Sequence, residues 1–250
     1  GRKPIGLDVK LSAYEFEYDG NTKTPGVTVT ILGTTTTLGA SEYQVEHSTI
    51  TKAGRASVTI KDTGSGNYSF SDIYVNFTIT PKELTMSASM DAKTYDGSTS
   101  ATVRPGALNG VVSGDDVSVA ETSVNGTFDN EFVGTGKPVT LSQNFTLTGD
   151  KAGSYTLTQP TVTGNIIAAD QEPAITATAS VARGGKTLDL STLVSDVKEN
   201  GTVCFEISEG GDYATLDGST LTTTDKTGTV KITVKIGAVD LGGDNTPEYK

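Results

Sequence analysis

Apolar and polar residues alternate one for one along most of this chain. Val27, Val29 and Ile31 are separated by Thr28 and Thr30. Ala56, Val58 and Ile60 alternate with Ser57 and Thr59, and Val75, Phe77 and Ile79 alternate with Asn76 and Thr78. Successive side chains of a strand point to opposite faces, so this period of two predicts half-buried strands with one wet face, the pattern of antiparallel sheets. Thr dominates the wet face because a β-branched residue suits a pleated surface. The pattern continues in Val117 and Val119, Val139 and Leu141, Phe145 and Leu147, and Tyr155 and Leu157. It returns in Val203, Phe205 and Ile207 and, most regularly, in Val230, Ile232, Val234 and Ile236. Leu188, Leu190 and Leu193, around Ser191 and Thr192, predict a strand passing into a helical turn. No long stretch has a 3.6-residue period, so the expected fold class is all-β.

The alternation is organised around a repeat. Tyr18-Asp19-Gly20 recurs as Tyr95-Asp96-Gly97, 77 residues later. In the first copy Tyr14, Phe16 and Tyr18 are expected on one strand face and Glu15 and Glu17 on the other. Asp-Gly then supplies a turn, since Gly tolerates positive φ and Asp bonds nearby backbone. Tyr18 and Tyr95 are accordingly expected as core anchors at the start of each unit, with Asp19 and Asp96 shaping the turns. A Gly step follows midway, Ala53-Gly54 and Val133-Gly134, and a Gly-x-Tyr late, Gly66-Asn67-Tyr68 and Gly153-Ser154-Tyr155. The span from the Tyr-Asp-Gly tyrosine to this late tyrosine is 50 residues in the first copy and 60 in the second, and the excess is expected in loops around Gly106 to Asp116. Pro81 cannot donate to a ladder and ends the first unit; Asp170-Gln171-Glu172-Pro173 reads as a second linker. The expected organisation is three tandem, elongated, Ig-like β-sandwich domains at 1–80, 81–169 and 170–250, the third without the tripeptide. Tyr68 and Tyr155 suit the role in which a late-strand tyrosine bonds its hydroxyl to upstream backbone.

Composition adds limits. Hydrophobic residues are only 34% of the chain, enough for thin cores when each strand buries a single face. The net charge of −11 disfavours nucleic acid and anionic membranes, which need clustered Lys and Arg. No apolar run reaches the roughly 18 residues of a membrane helix, so membrane insertion is not expected. Cys204 is the only cysteine, which excludes an intrachain disulfide and a thiolate metal cluster. The chain opens Gly1-Arg2-Lys3-Pro4 and reads as a piece of a longer protein, Gly1 being a cloning remnant.

Candidate chemistry is sparse. His47 is the only histidine, and a nucleophile–His arrangement would have to pair it with a serine or with Cys204, which sits in an apolar stretch of another unit where a buried thiol acts as a small hydrophobe. Asp115-Asp116 and Asp129-Asn130-Glu131 offer oxygens to Ca²⁺ but lack a ligand-loop spacing and read as solvated turns. Glu15 and Glu17 share a strand face without a cleft, unlike a glycosidase pair. The Asn-x-Ser/Thr triplets at Asn67, Asn76, Asn125, Asn144 and Asn200 are chance in a chain this rich in Thr and Asn. A Lys–Asn isopeptide cross-link is not expected. The chain is therefore expected to be no enzyme and to hold no catalytic, cofactor or metal residue.

Tyr95-Asp96-Gly97-Ser98-Thr99, Leu108 through Val117, Val133-Gly134-Thr135-Gly136-Lys137-Pro138-Val139 and Gly153-Ser154-Tyr155-Thr156-Leu157 resemble the YDG-type repeats of large bacterial surface proteins. The first unit resembles the shorter Ig-like relatives beside them, and the third resembles bacterial Ig-like domains. The resemblance implies a monomeric, non-catalytic spacer or adhesive segment of an extracellular, cell-wall-attached or secreted bacterial protein. The alternatives are a module that binds a host glycan or host protein, for instance through the 106–116 loop tip, and the accessory region of a large secreted enzyme.

Overall fold

The computed structural model of the protein describes residues 1–243 and 247–249; positions 244–246 and 250 of the third stretch lie outside the described residues. The fold is all-β, with 3-10 turns as its helical elements among the described residues. The first stretch carries β1 (Lys3–Pro4), β2 (Leu7–Leu11), β3 (Glu15–Glu17), β4 (Val27–Ile31), β5 (Tyr43–His47), β6 (Gly54–Asp62), β7 (Tyr68–Ser69) and β8 (Ile73–Thr80). The second carries β9 (Lys82–Ser89), β10 (Lys93–Thr94), β11 (Ser100–Asn109), β12 (Ser118–Val119), β13 (Val124–Phe128), β14 (Gly134–Leu141), β15 (Leu147–Thr148), β16 (Tyr155–Leu157) and β17 (Val162–Ile167). The third carries β18 (Ala174–Ile175), β19 (Thr187–Asp189), β20 (Val194–Ser195), β21 (Val203–Glu209), β22 (Ala214–Asp217), β23 (Thr220–Thr223) and β24 (Lys231–Ile236).

The chain forms two compact units. One comprises Gly1–Ala88, Arg104–Val124 and Gln143–Thr161; the other comprises Ser89–Val103, Asn125–Ser142 and Val162–Lys250. In the first unit the sheet β3-β8-β6-β5 and the pair β2-β4 contribute alternate residues to one core. Val29, Val58, Ile60 and Leu84 are fully buried there, and Phe77 and Ile79 nearly so. These are the apolar members of the alternating runs, so the burial follows from the two-residue period. The second unit holds the strand order β10-β17-β14-β13, together with β21-β24 and β19-β23-β22 in the third stretch. There Leu190, Ala214 and Leu221 form a small core with Leu188, Phe205 and Ile232 against it. The leucine run behaves as expected: β19 passes into a 3-10 turn at Leu190–Leu193, capped by Asp189 accepting the Ser191 N–H.

The two Tyr-Asp-Gly copies open stretches with the same strand plan. β3-β8-β6-β5 is a complete sheet and β10-β17-β14-β13 a run within a seven-stranded one, and both start with a parallel pair followed by antiparallel pairs. The late tyrosine strand is parallel to the opening strand in both, β7 to β1 and β16 to β9. The Gly steps start β6 and β14 as expected.

Three local expectations are corrected. Tyr14 is not on the core face with Phe16 and Tyr18: strand geometry begins only at Glu15, and Tyr14 is 50% exposed. Gly106 lies inside β11 rather than in a loop; the loop starts at Gly110, whose φ of +100° breaks the strand. Cys204 is exposed, because Val203 and Phe205 take the inner positions of β21.

Candidate functional site

The Tyr-Asp-Gly turns are built as the sequence suggests. The Asp19 carboxylate accepts the Asn21 N–H at 2.9 Å and the Asp96 carboxylate accepts the Ser98 N–H at 2.8 Å. Gly20 and Gly97 have φ of +83° and +72°, which L side chains adopt only at a cost. Lys23 lies 2.6 Å from Asp19 and Lys93 2.6 Å from Asp96. The Lys93 ammonium and the Ser98 hydroxyl hold the Asp96 carboxyl at about 2, and Lys23 lowers Asp19 in the same way.

The tyrosines do something the sequence did not show. Each Tyr-Asp-Gly tyrosine ties itself to the end of its stretch's closing strand: the Tyr18 N–H donates to Thr80 O at 2.9 Å and the Tyr95 N–H to Ile167 O at 2.8 Å. Each therefore stands at the exit of its stretch, not only at its entry, and its ring points onward. Tyr18 is 1% exposed. Its ring meets that of Tyr155 edge-on at 5.3 Å, and its hydroxyl donates to Asp115 Oδ2 at 2.7 Å. The Tyr155 hydroxyl donates to the same oxygen at 2.5 Å and accepts the Val112 N–H at 3.0 Å. Burial, then the bond to Asp115, pushes the Tyr18 hydroxyl well above the usual phenol range. The two hydroxyls, Tyr155 foremost, hold Asp115 below the usual carboxylate range against its own burial.

Further bonds close this contact. The Lys151 ammonium donates to Thr51 O at 3.0 Å, and the Ala53 N–H donates to the Ser154 hydroxyl at 3.1 Å. Gly20 approaches Val112 so closely that a Cβ added there would lie 2.9 Å from Val112 Cγ1. Tyr95 is half-buried and meets Tyr249 edge-on at 5.4 Å. Beside it the fully buried Glu248 accepts the Val133 N–H at 3.2 Å and the Leu241 N–H at 2.6 Å.

The remaining candidate residues are placed as follows. Tyr155 makes the expected hydroxyl-to-backbone bond. Tyr68 does not: among the described residues no bond reaches its hydroxyl, although the residue is half-buried. The 110–116 loop tip is packed through Val112 and Asp115 against Tyr18 and Tyr155. Asp116 gives its carbonyl to the Lys151 N–H. Asp129 pairs with Lys137 at 3.3 Å, whose ammonium also donates to Asn130 Oδ1. Among the described residues no group of three or more His, Cys, Asp or Glu is arranged to hold a metal. His47 Nε2 lies 3.0 Å from Pro25 O, and Glu15 and Glu17 are exposed on β3.

An all-β chain with a repeated strand plan and edge-on tyrosine pairs is the class these features define. Within it, a YDG domain occupies residues 80–164, from the last residue of β8 into β17. A comparison with curated proteins gives no match.

Proposed function

We propose that the chain is a non-catalytic, semi-rigid spacer in an extracellular bacterial protein, cell-wall-attached or secreted, built of three tandem Ig-like sandwich domains at 1–80, 81–169 and 170–250. The observation that carries this reading is the passage from β8 to β9. A single residue, Pro81, separates Thr80 from Lys82, and the Tyr18–Asp115–Tyr155 contact lies beside it. Domains joined by a free linker move by default, and a proline flanked by paired strands and a buried hydrogen-bonded contact removes that freedom. The polar candidates support the same view, since Asp115, Asp129 and His47 are each engaged in bonds that hold backbone or neighbouring side chains.

The test is binding. The full chain is screened against glycan arrays and host extracellular proteins. The spacer reading expects no specific binding at micromolar concentration; a saturable micromolar partner at a defined surface overturns it in favour of a recognition module.

A further inference from the structure

Three tyrosines occupy one topological position. Tyr155 pairs in parallel with Lys82, which follows the closing-strand residue Thr80 by two. Tyr249 pairs in parallel with Ala169, which follows the closing-strand residue Ile167 by two. Tyr68 pairs in parallel with Lys3. The first two each receive the ring of a Tyr-Asp-Gly tyrosine, at 5.3 Å and 5.4 Å and at interplanar angles of 82° and 83°. In both cases that tyrosine is hydrogen-bonded through its N–H to the closing-strand residue just named. The arrangement is thus a plug and a socket: the plug is the Tyr-Asp-Gly tyrosine at the exit of one domain, and the socket is the parallel-strand tyrosine at the entry of the next.

Tyr68 holds the same register position with no Tyr-Asp-Gly ring against it among the described residues. It is half-buried, its ring lies against the core, and its hydroxyl is unbonded among the described residues. The carboxylate compared with Asp115 is that of Glu42, which accepts the Gly39 N–H at 3.2 Å. Asp115 closes a tight turn with its N–H to Val112 O at 3.1 Å; Glu42 closes one with its N–H to Gly39 O at 2.9 Å. The Glu42 side chain lies against Gly66, two residues before Tyr68. A phenol that donates to a carboxylate beside an edge-on aromatic pair satisfies both its apolar ring and its polar tip.

We propose that the Tyr68 pole of the first stretch is a docking surface for the Tyr-Asp-Gly pole of another domain of this kind, whose tyrosine would pack on Tyr68 and donate to Glu42. This rests on the tandem-domain reading above and extends it, because it assigns the partner class that the surface accepts.

The spacing defines the test. A second copy of residues 80–167 is placed ahead of the full chain and joined directly to Arg2, so that its Ile167 takes the place of Gly1 and one residue, Arg2, precedes Lys3. Amide hydrogen exchange is then read at residues 39–42 and 66–68. Docking is expected to slow exchange there by about tenfold or more over the chain alone. Tyr95→Ala in the leading copy is expected to abolish that gain, and Glu42→Gln to reduce it. Unchanged exchange at these amides, with the core amides of the leading copy protected, overturns the proposal. Where those core amides exchange freely, the leading segment is extended to residues 1–167 and the same readout decides. The amides of 112–115 serve as the control: if they stay protected while 39–42 do not respond, the socket proposal fails and the spacer reading stands; if they are unprotected in the chain alone, the spacer reading itself fails.

Discussion

Tyr155 shows how much a single hydroxyl does here. It accepts the Val112 N–H and donates to Asp115, so Tyr155→Phe leaves the Val112 N–H without a partner and the Asp115 oxygen with the Tyr18 hydroxyl alone. A loss of about 1–2 kcal/mol is expected, read from the urea midpoint at unchanged slope. The two tripeptide glycines separate conformation from packing. Both have positive φ, but only Gly20 has a neighbour in the way of a Cβ; Gly97 faces open space. Gly97→Ala should cost about 1 kcal/mol for the left-handed backbone alone, and Gly20→Ala clearly more, because Val112 must also shift. Equal losses in thermal unfolding would mean that the Gly20–Val112 approach carries no energy. Cys204, exposed on β21, should react fully with a thiol reagent in the native state.

The sheets depend on the inward members of the alternating runs. Phe77 on β8 is buried and meets Phe16 of β3 edge-on at 5.6 Å, across the parallel pair that sets Tyr18 in place. Phe77→Ala should destabilise by about 3–5 kcal/mol, the usual range for emptying an aromatic core site. Because β3 and β8 together carry Tyr18 to Thr80 O, the same substitution should raise hydrogen exchange at Tyr18 before the β5-β6 amides respond. β9 shows the same alternation. Its Leu84 and Met86 are buried while Thr85 and Ser87 are exposed, and the short β16 runs parallel along it.

For the molecule as a whole, the acid side of the stability profile is set by paired carboxylates. Asp62 is held at about 2, first by the Arg2 guanidinium and then by the Gly64 N–H, and Asp96 at about 2 by Lys93. Their folded values lie below the unfolded value of about 3.9, so the unfolded chain binds more protons in the interval. Their contribution is present in full above about pH 4–5 and is lost as pH falls toward about 2. Denaturation midpoints should therefore be flat from neutral pH down to about pH 5 and fall steeply below it, and Asp62→Asn should flatten part of that fall. A midpoint that rises on acidification would contradict the role given to these pairs, since it would require carboxylates that repel one another in the folded state.

The period-two alternation determined, by itself, that this is an all-β chain, and it located strands such as β4, β6, β8 and β24 with the side chains they turn inward, though not β2, β9, β11 or β13. That information is local: a two-residue period needs no knowledge of the partner strand. The Asp-Gly turns were equally legible, because their bonds close within two or three residues. Partners were not legible. Tyr18 and Asp115 are 97 residues apart, and nothing in either neighbourhood marks the other. Tyr14 and Cys204 went astray for the same reason, since strand ends and exposed positions are decided by what packs against them. The repeated tripeptide was visible as a repeat but read as an anchor within one domain. Only the tertiary structure shows that its tyrosine bonds the end of the closing strand and packs edge-on against a tyrosine far along the chain, because which way a ring faces is chosen by the surface brought to meet it.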